Sequence, residues 1–165
     1  MSDLALSAHF TLSEFTRSRE AQLYGFDNDP PAHVVVELRR LCHTVLEPLR
    51  ALLGGDPLKV ASGYRSPAVN EAVGGAPNSD HRWGRAADIY SIAVAPTELA
   101  TRLARSGLPT RLVILEYGLV THVSIEADVI TTPSWIAQTW TRDPETLARL
   151  THPGIRHPTT NEVLA

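Results

Sequence analysis

Apolar residues recur at helical spacing between residues 32 and 53. Six of them follow one another at intervals of three and four residues, which would place them on one face of a helix. They are Val34, Leu38, Leu41, Val45, Leu49 and Leu52. Pro48 lies inside this stripe, and because proline lacks an N–H and crowds the preceding turn, we expect a kink there. Gly54-Gly55 would end the helix.

Shorter elements are predicted on both sides of this helix. Thr11 and Glu14 have capping-box spacing, which would open a short helix, and Gly25 would end the next one. Further helices are predicted over residues 67–73 and 97–106, and a loop over 78–84. Strands are predicted over residues 58–62, 86–89, 111–116 and 119–126, with Tyr117-Gly118 as a hairpin turn.

Size and composition indicate one ordinary globular domain, at most with an appendage. The chain has 165 residues, of which 43% are hydrophobic and 20% charged, and such a chain buries roughly two-thirds of its unfolded surface. The formal net charge of -3 gives no footprint for nucleic acid, and no basic run suggests a membrane surface. Cys42 is the only cysteine, so no intrachain disulfide exists, and its place beside the helical stripe predicts a buried structural thiol.

The two ends of the sequence carry separate expectations. The N-terminus lacks the basic region and apolar stretch of a signal peptide, so we expect synthesis in a cytoplasm. Residues 126–165 differ from residues 1–125 in holding Trp135, Trp140 and a Pro/His-rich end. They are predicted to be an appendage to the domain, and two interpretations stay open: the tryptophans pack back on the domain, or they face a partner.

His81, Asp88 and His122 carry the candidate chemistry. Two imidazoles and one carboxylate are the ligand set of a catalytic zinc site that leaves a fourth position open for water. Taken singly, each is weak: a His and an Asp seven residues apart are usually surface residues, and His122 alternates with apolar Val120 like a core histidine. The joint occurrence, with the flanking residues, favours the metal site.

The flanking residues form specific motifs. Residues 79–88 contain the pattern Ser-x-His-x-x-Gly-x-Ala-x-Asp, residues 62–67 are Ser-Gly-Tyr-Arg-Ser-Pro, and residues 122–124 are His-Val-Ser. With His-Phe-Thr-Leu-Ser-Glu-Phe at residues 9–15, the chain resembles the zinc D-Ala-D-Ala carboxypeptidase family from about residue 9 to residue 125. These peptidoglycan peptidases are related in fold to lysostaphin and the hedgehog signalling domain, and the likeness is to a phage-like subgroup.

The resemblance implies a fold and a zinc site. The fold would be α+β, with a small antiparallel sheet that carries the site and helices packed against it. His81, Asp88 and His122 would hold one zinc ion, and Arg65 would stabilise the tetrahedral oxyanion or hold a substrate carboxylate. The alternative for Arg65 is a surface salt bridge. Asp80, directly before His81, would either orient a ligand ring or cap a turn.

The sequence departs from the family pattern at the position where relatives have the general base. Many relatives have Glu or Asp three residues before the last histidine, where this chain has Leu119. Glu116 lies on the preceding strand and could reach the site across a tight hairpin, and the phage-like subgroup has a similar Glu-aromatic-Gly sequence. We therefore predict Glu116 as the base, the alternative being an exposed carboxylate at a strand end. A tryptophan often found just before the last histidine is also absent.

The leading functional hypothesis is a zinc peptidase that cleaves the peptide stem of peptidoglycan, as a D-Ala-D-Ala carboxypeptidase or an endopeptidase. The missing signal peptide favours an enzyme released at phage lysis or carried in a virion, and no nucleic-acid or membrane partner is expected. The alternative is a structural or binding module of a phage particle without peptidase activity, which would contact phage subunits through residues 126–165. A third hypothesis, an α+β domain with no metal, requires the motifs to coincide by chance.

Overall fold

The computed structural model describes residues 3–116, 119–127 and 138–141. Helices and strands alternate along this part of the chain. The helices are α1 (Leu12–Thr16), α2 (Arg19–Tyr24), α3 (Ala32–Leu41), α4 (Glu47–Leu52), α5 (Pro67–Ala72) and α6 (Pro96–Arg105). The strands are β1 (Leu58–Ser62), β2 (Ala86–Ser91), β3 (Leu112–Glu116), β4 (Val120–Ser124) and β5 (Gln138–Thr141).

The strands form one sheet in the order β1-β2-β4-β3-β5. Strands β1 to β4 pair antiparallel, and β5 runs parallel to β3. Helix α6 contacts β2, β3 and β4, and α1 contacts β1. The predicted α+β fold with a small antiparallel sheet and packed helices is therefore confirmed. The predicted Tyr117-Gly118 turn and Trp135 lie outside the described residues, and the predicted domain boundary near residue 125 stays a prediction.

The two faces of the sheet differ in burial. Buried residues alternate with half-buried ones along most of β3 and β4, because successive side chains of a strand point to opposite faces. One face supplies Val60, Ile89, Val113 and Val123 to a core shared with the helices. The opposite face presents the polar side chains of the candidate site.

The predicted helix over residues 32–53 contains a π-helical turn, Cys42–Leu46, between α3 and α4. The N–H of Glu47 donates to the carbonyl of Cys42, five residues earlier. Pro48 follows at the start of α4, and the wider turn accommodates a residue that has no N–H and would crowd the carbonyl of residue 44. The irregularity expected at Pro48 therefore takes the form of a π turn directly before it.

Most of the predicted apolar stripe faces the core. Val34, Leu38, Leu41, Val45 and Leu49 are buried, so the stripe continues on both sides of the π turn. Leu52, assigned to the stripe from its spacing, is 56% exposed. Leu46 and Leu53, which the spacing did not assign to the stripe, are buried.

Most of the other sequence predictions lie within a few residues of the observed elements. The capping box of Thr11 and Glu14 is confirmed at the start of α1. The predicted loop over residues 78–84 differs, because it contains a 3₁₀ turn, Asp80–Trp83. Cys42 is buried, and burial raises the pKa of its thiol to about 12, so the prediction of a buried structural thiol is confirmed. Within the described part of the chain, every helix is too short or too polar to span a bilayer.

Candidate metal centre

Adjacent strands bring Asp88 and His122 together. Asp88 of β2 is the register partner of His122 of β4, and directly opposed residues of an antiparallel pair present their side chains on one face. His81 reaches the same place from the 3₁₀ turn. Gly84 ends that turn with φ +71, and a Cβ there would lie 2.6 Å from the carbonyl oxygen of Val34. Glycine is therefore the only residue that allows this turn to lie against α3.

Three ligand atoms converge at this point. Nε2 of His81 lies 3.3 Å from Nδ1 of His122 and 3.3 Å from Oδ1 of Asp88. Nδ1 of His122 lies 2.8 Å from the same carboxylate oxygen. A tetrahedral zinc ion with bonds of about 2.0 Å separates its ligand atoms by about 3.3 Å. Two edges of the triangle match this separation and the third, between His122 and Asp88, is shorter, so a small adjustment of one side chain lets the group hold one zinc ion.

The outer contacts orient two of the three groups. Nδ1 of His81 donates a hydrogen bond of 2.6 Å to the carbonyl oxygen of Gly63, because a carbonyl can only accept. In the neutral ring this leaves the lone pair of Nε2 directed at the other two groups, the tautomer that a metal ligand requires. Nη2 of Arg65 donates a bond of 2.6 Å to Oδ2 of Asp88, and Nε of Arg65 donates to Oγ of Ser62 at 2.9 Å.

Asp88 is ionised in this environment. Burial by itself would raise the pKa of this carboxyl, which is only 7% exposed. When the ring nitrogens that face the carboxylate carry protons instead of a metal, the charge of His81 and the hydrogen bonds from His122 and His81 outweigh burial and hold the pKa of Asp88 well below its usual range. A carboxylate that stays charged while buried is suited to bind a cation.

An irregularity in β1 directs its last residues toward the cluster. The register of β1 against β2 shifts between Val60 and Ser62, as at a β-bulge, which re-aims side chains beside a site. Ser62 then lies opposite Asp88. The next residue, Gly63, packs so closely on Phe15 that a Cβ would lie 2.6 Å from the Phe15 Cα. Packing against α1 therefore fixes the position of the Gly63 carbonyl, which accepts the hydrogen bond from His81.

Asn28 is a supporting residue that sequence reasoning missed. Its Nδ2 donates to the carbonyl of Thr16 at 2.7 Å and to the carbonyl of Tyr64 at 3.2 Å. Its Oδ1 accepts from the backbone N–H of Ser66 at 2.8 Å. These bonds hold the backbone on both sides of Arg65. The sequence showed Asn28 only as part of a break before two prolines, so no local signal pointed to this role.

Glu116 lies on the same face of the sheet as the cluster. Ile114 is the register partner of His122, and Glu116 is the partner of Val120, so Glu116 and His122 are diagonal neighbours. Diagonal neighbours of this kind have Cα atoms about 7–8 Å apart. Leu119, where many relatives have an acid, is 70% exposed. The role of Glu116 as a base stays a prediction.

Asp80 does neither of the two things considered from the sequence. It pairs with Arg111, which precedes β3, and lies 3.6 Å from Nε of Arg85. It therefore ties the 3₁₀ turn to the sheet. The side chain of Arg65 is 18% exposed and pairs with the buried carboxylate of Asp88, so this pair is not the surface salt bridge considered as the alternative. The role of Arg65 toward a substrate stays a prediction.

The remaining histidines are away from this group where the structure describes them. His9 pairs with Glu47 at 2.8 Å, and His33 and His43 are exposed. His152 and His157 lie outside the described residues.

Comparison with known proteins gives two matches. A family model described as Peptidase M15 matches residues 8–124, which include the whole of the cluster. A segment of 44 residues is 46% identical to the zinc D-Ala-D-Ala carboxypeptidase of Streptomyces albus G. That segment is 27% of this chain and 17% of the carboxypeptidase, so the match covers a small part of that enzyme's length.

Proposed function

Because this chain belongs to the Peptidase M15 family, we propose that it is a zinc-dependent peptidase acting on the stem peptide of bacterial peptidoglycan. The observation that carries the proposal is the triangle of Nε2 of His81, Oδ1 of Asp88 and Nδ1 of His122, with edges of 2.8 to 3.3 Å. The bond cleaved would be the terminal D-Ala-D-Ala bond or a bond within the stem.

His81, Asp88 and His122 would be the ligands. Bound zinc would supply Lewis-acid chemistry, polarising a carbonyl and lowering the pKa of water toward about 7. The three side chains come from three separate elements that the sheet and the 3₁₀ turn hold in place. Their positions therefore depend on the folded core and need little rearrangement on binding, which favours a preorganised site.

Arg65 and Glu116 would act on the substrate. Arg65 already bonds to Asp88 through Nη2, and the rest of its guanidinium could donate to a developing oxyanion or to a substrate carboxylate. Glu116 would accept the proton of the attacking water and return it to the leaving amine, as a general acid and base. Its place on the site face of β3, diagonal to His122, supports this role.

The test is a digest of purified peptidoglycan with metal-loaded protein, with and without a zinc chelator, read by mass spectrometry of the released fragments. We expect a product that the chelator abolishes. Loss of one alanine would identify a carboxypeptidase, and a divided stem would identify an endopeptidase.

A matched pair of variants links activity to the cluster. His122→Ala should lose both zinc and product while its circular dichroism spectrum stays unchanged, because the core does not need the metal. His43→Ala, at an exposed helical position, should behave as wild type. Equal zinc content in the His122 variant and the wild type would exclude the proposed ligand set.

A second candidate, a structural or binding module of a phage particle, has one observation in its favour: Leu119 stands where many relatives have an acid. The pairing of β5, which lies within residues 126–165, with β3 supports instead an appendage that packs back on a domain of residues 1–125, and it does not favour contact with a phage subunit. Absence of any product from metal-loaded protein across several wall types would favour this candidate. Release at phage lysis and carriage in a virion remain predictions from the sequence.

A further inference from the structure

A groove of about 450 Å³ lies beside the candidate metal centre. It runs between the connection from α1 to α2, the end of β1, and α5. Ser62 and Arg65 line it, and these two residues also bond to each other next to Asp88. The groove and the cluster therefore share a wall. Its size is within the range of pockets that enclose small ligands.

The charges in the groove are mainly positive. Arg17, Arg19 and Arg65 line it, with Glu20 as the one carboxylate. Glu20 accepts a hydrogen bond of 3.3 Å from the hydroxyl of Ser18. Arg17 and Arg19 are exposed, and neither forms an ion pair within the part of the chain that the structure describes. Two guanidinium groups are thus available to an anion, in a chain whose formal net charge is -3.

The other lining residues suit an aliphatic peptide. Tyr64, Val69 and Val73 are among its lining residues, and Val73 is the one of these three that exposes a large part of its side chain. An extended peptide advances by about 3.3–3.6 Å per residue, so a groove of this volume can hold only a few residues of a peptide. The groove therefore combines apolar and positively charged side chains.

We propose that this groove binds the stem peptide through a carboxylate at some distance from the bond to be cleaved, with Arg17 and Arg19 as the residues that determine specificity. The inference rests on the proposed function, which it deepens by naming the substrate feature that is recognised. Stem peptides bear free carboxylates on their glutamate, diamino-acid and terminal residues, and guanidinium groups bind carboxylates through paired hydrogen bonds. Amidation of the carboxylate would remove this contact.

The experiment uses synthetic stem peptides in pairs that differ only in one carboxylate, free in one and amidated in the other. Each pair is assayed with metal-loaded full-length protein and with the double variant Arg17→Gln, Arg19→Gln. For one pair we expect the wild type to prefer the free carboxylate and the double variant to lose that preference. For the free-carboxylate peptide of that pair, the KM of the double variant should be about tenfold above the wild-type KM, with kcat unchanged. Two exposed ion pairs are lost, and they stabilise the ground state and the transition state equally.

The matched control is Arg39→Gln with Arg50→Gln, which removes the same charge from helices that do not line the groove. It should keep the wild-type preference, which excludes an effect of net charge alone. The same ratio of KM values in wild type and double variant for every pair would overturn the proposal, as would a change in kcat alone.

Calorimetry measures peptide binding directly, so it tests the groove even if the peptidase assignment fails. If the wild type cleaves no peptide, the peptidase assignment fails, and binding of the same peptides then decides the groove. Tighter binding of one free-carboxylate peptide by the wild type, lost in the double variant, would support the groove. Equal binding of free and amidated peptides, or no binding of either, would overturn it.

Discussion

Arg65 and Asp88 are joined by a hydrogen bond of 2.6 Å from Nη2 to Oδ2. The other carboxylate oxygen, Oδ1, lies 2.8 Å from Nδ1 of His122. One carboxylate therefore contacts three side chains, with Oδ1 near the two histidines and Oδ2 bonded to the arginine. The position of Asp88 in the cluster thus depends on Arg65, a residue twenty-three positions earlier in the chain.

This dependence predicts the effect of Arg65→Lys. Lysine carries a single ammonium group and cannot bond to Ser62 and Asp88 in the geometry of a guanidinium. We expect zinc affinity to fall by about 10- to 100-fold, the usual effect of losing an outer partner of a ligand. Competition with a chromogenic chelator measures the change. Arg102→Lys, in an exposed ion pair with Glu98, is the control, and equal affinity in both variants would contradict the role of Arg65.

Glu116→Gln tests the proposed base. The amide cannot accept the proton of the attacking water, but the three ligand groups are untouched. We expect unchanged zinc content and a turnover lower by about 10² to 10⁴, the usual contribution of a general base. Stem-peptide hydrolysis with metal analysis of the same sample gives both values. Glu126→Gln, exposed just after β4, should leave turnover unchanged, and wild-type turnover in the Glu116 variant would show that another group is the base.

Gly63→Ala should weaken the site through packing. The added methyl would lie 2.6 Å from the Cα of Phe15, so β1 or α1 must move, at a cost of about 1–3 kcal/mol in the free energy of unfolding. The carbonyl that accepts from His81 would move with it, and we expect zinc affinity to fall by about tenfold. Urea unfolding and chelator competition measure the two effects.

Gly74→Ala is the control for Gly63→Ala, because it strains the backbone without a steric clash. Gly74 has φ +66, and a methyl group added there would meet no other atom within 4 Å, so alanine costs about 1 kcal/mol through its left-handed conformation. Stability should fall while zinc affinity stays at the wild-type value. A similar loss of zinc affinity in both variants would show that general destabilisation, and not the Gly63 carbonyl, accounts for the effect.

The lowered pKa of Glu47 predicts how the free energy of unfolding varies with pH. Burial would raise the pKa of this carboxyl, but hydrogen bonds from Ser7 and His9 outweigh it and lower the pKa below its ordinary value. A carboxyl with a lowered pKa in the folded state adds stability above its unfolded pKa, and that stability is lost as the pH falls through the folded pKa. Glu47→Gln should therefore cost about 1–2 kcal/mol at neutral pH and progressively less below about pH 4.

Urea unfolding of the wild type and the Glu47 variant at neutral pH and in acid below the pKa of an ordinary carboxyl measures this difference. Glu71→Gln, at an exposed position of α5, should show little cost under either condition. A cost for Glu47→Gln that is the same at both pH values would mean that the contact stabilises through packing and not through charge.

Local patterns were sufficient for most of the secondary structure. The capping box of Thr11 and Glu14, the alternating residues of β3 and β4 and the glycines that end helices each act within a few positions. The π turn at Cys42–Leu46 was not predictable in this way. The exposure of Leu52 was not predictable either, since its spacing from Leu49 is the same as that of buried stripe residues.

The sequence by itself determined which residues are the candidates for the chemistry, because His81, Asp88 and His122 lie in motifs that resemble those of a zinc peptidase family. Only the tertiary structure decided how they meet. The register of β2 against β4 pairs Asp88 with His122, the irregularity in β1 places Ser62 opposite Asp88, and Asn28 holds the backbone around Arg65. These contacts join residues far apart in the chain, and their geometry follows from strand pairing and close packing, which no local pattern encodes.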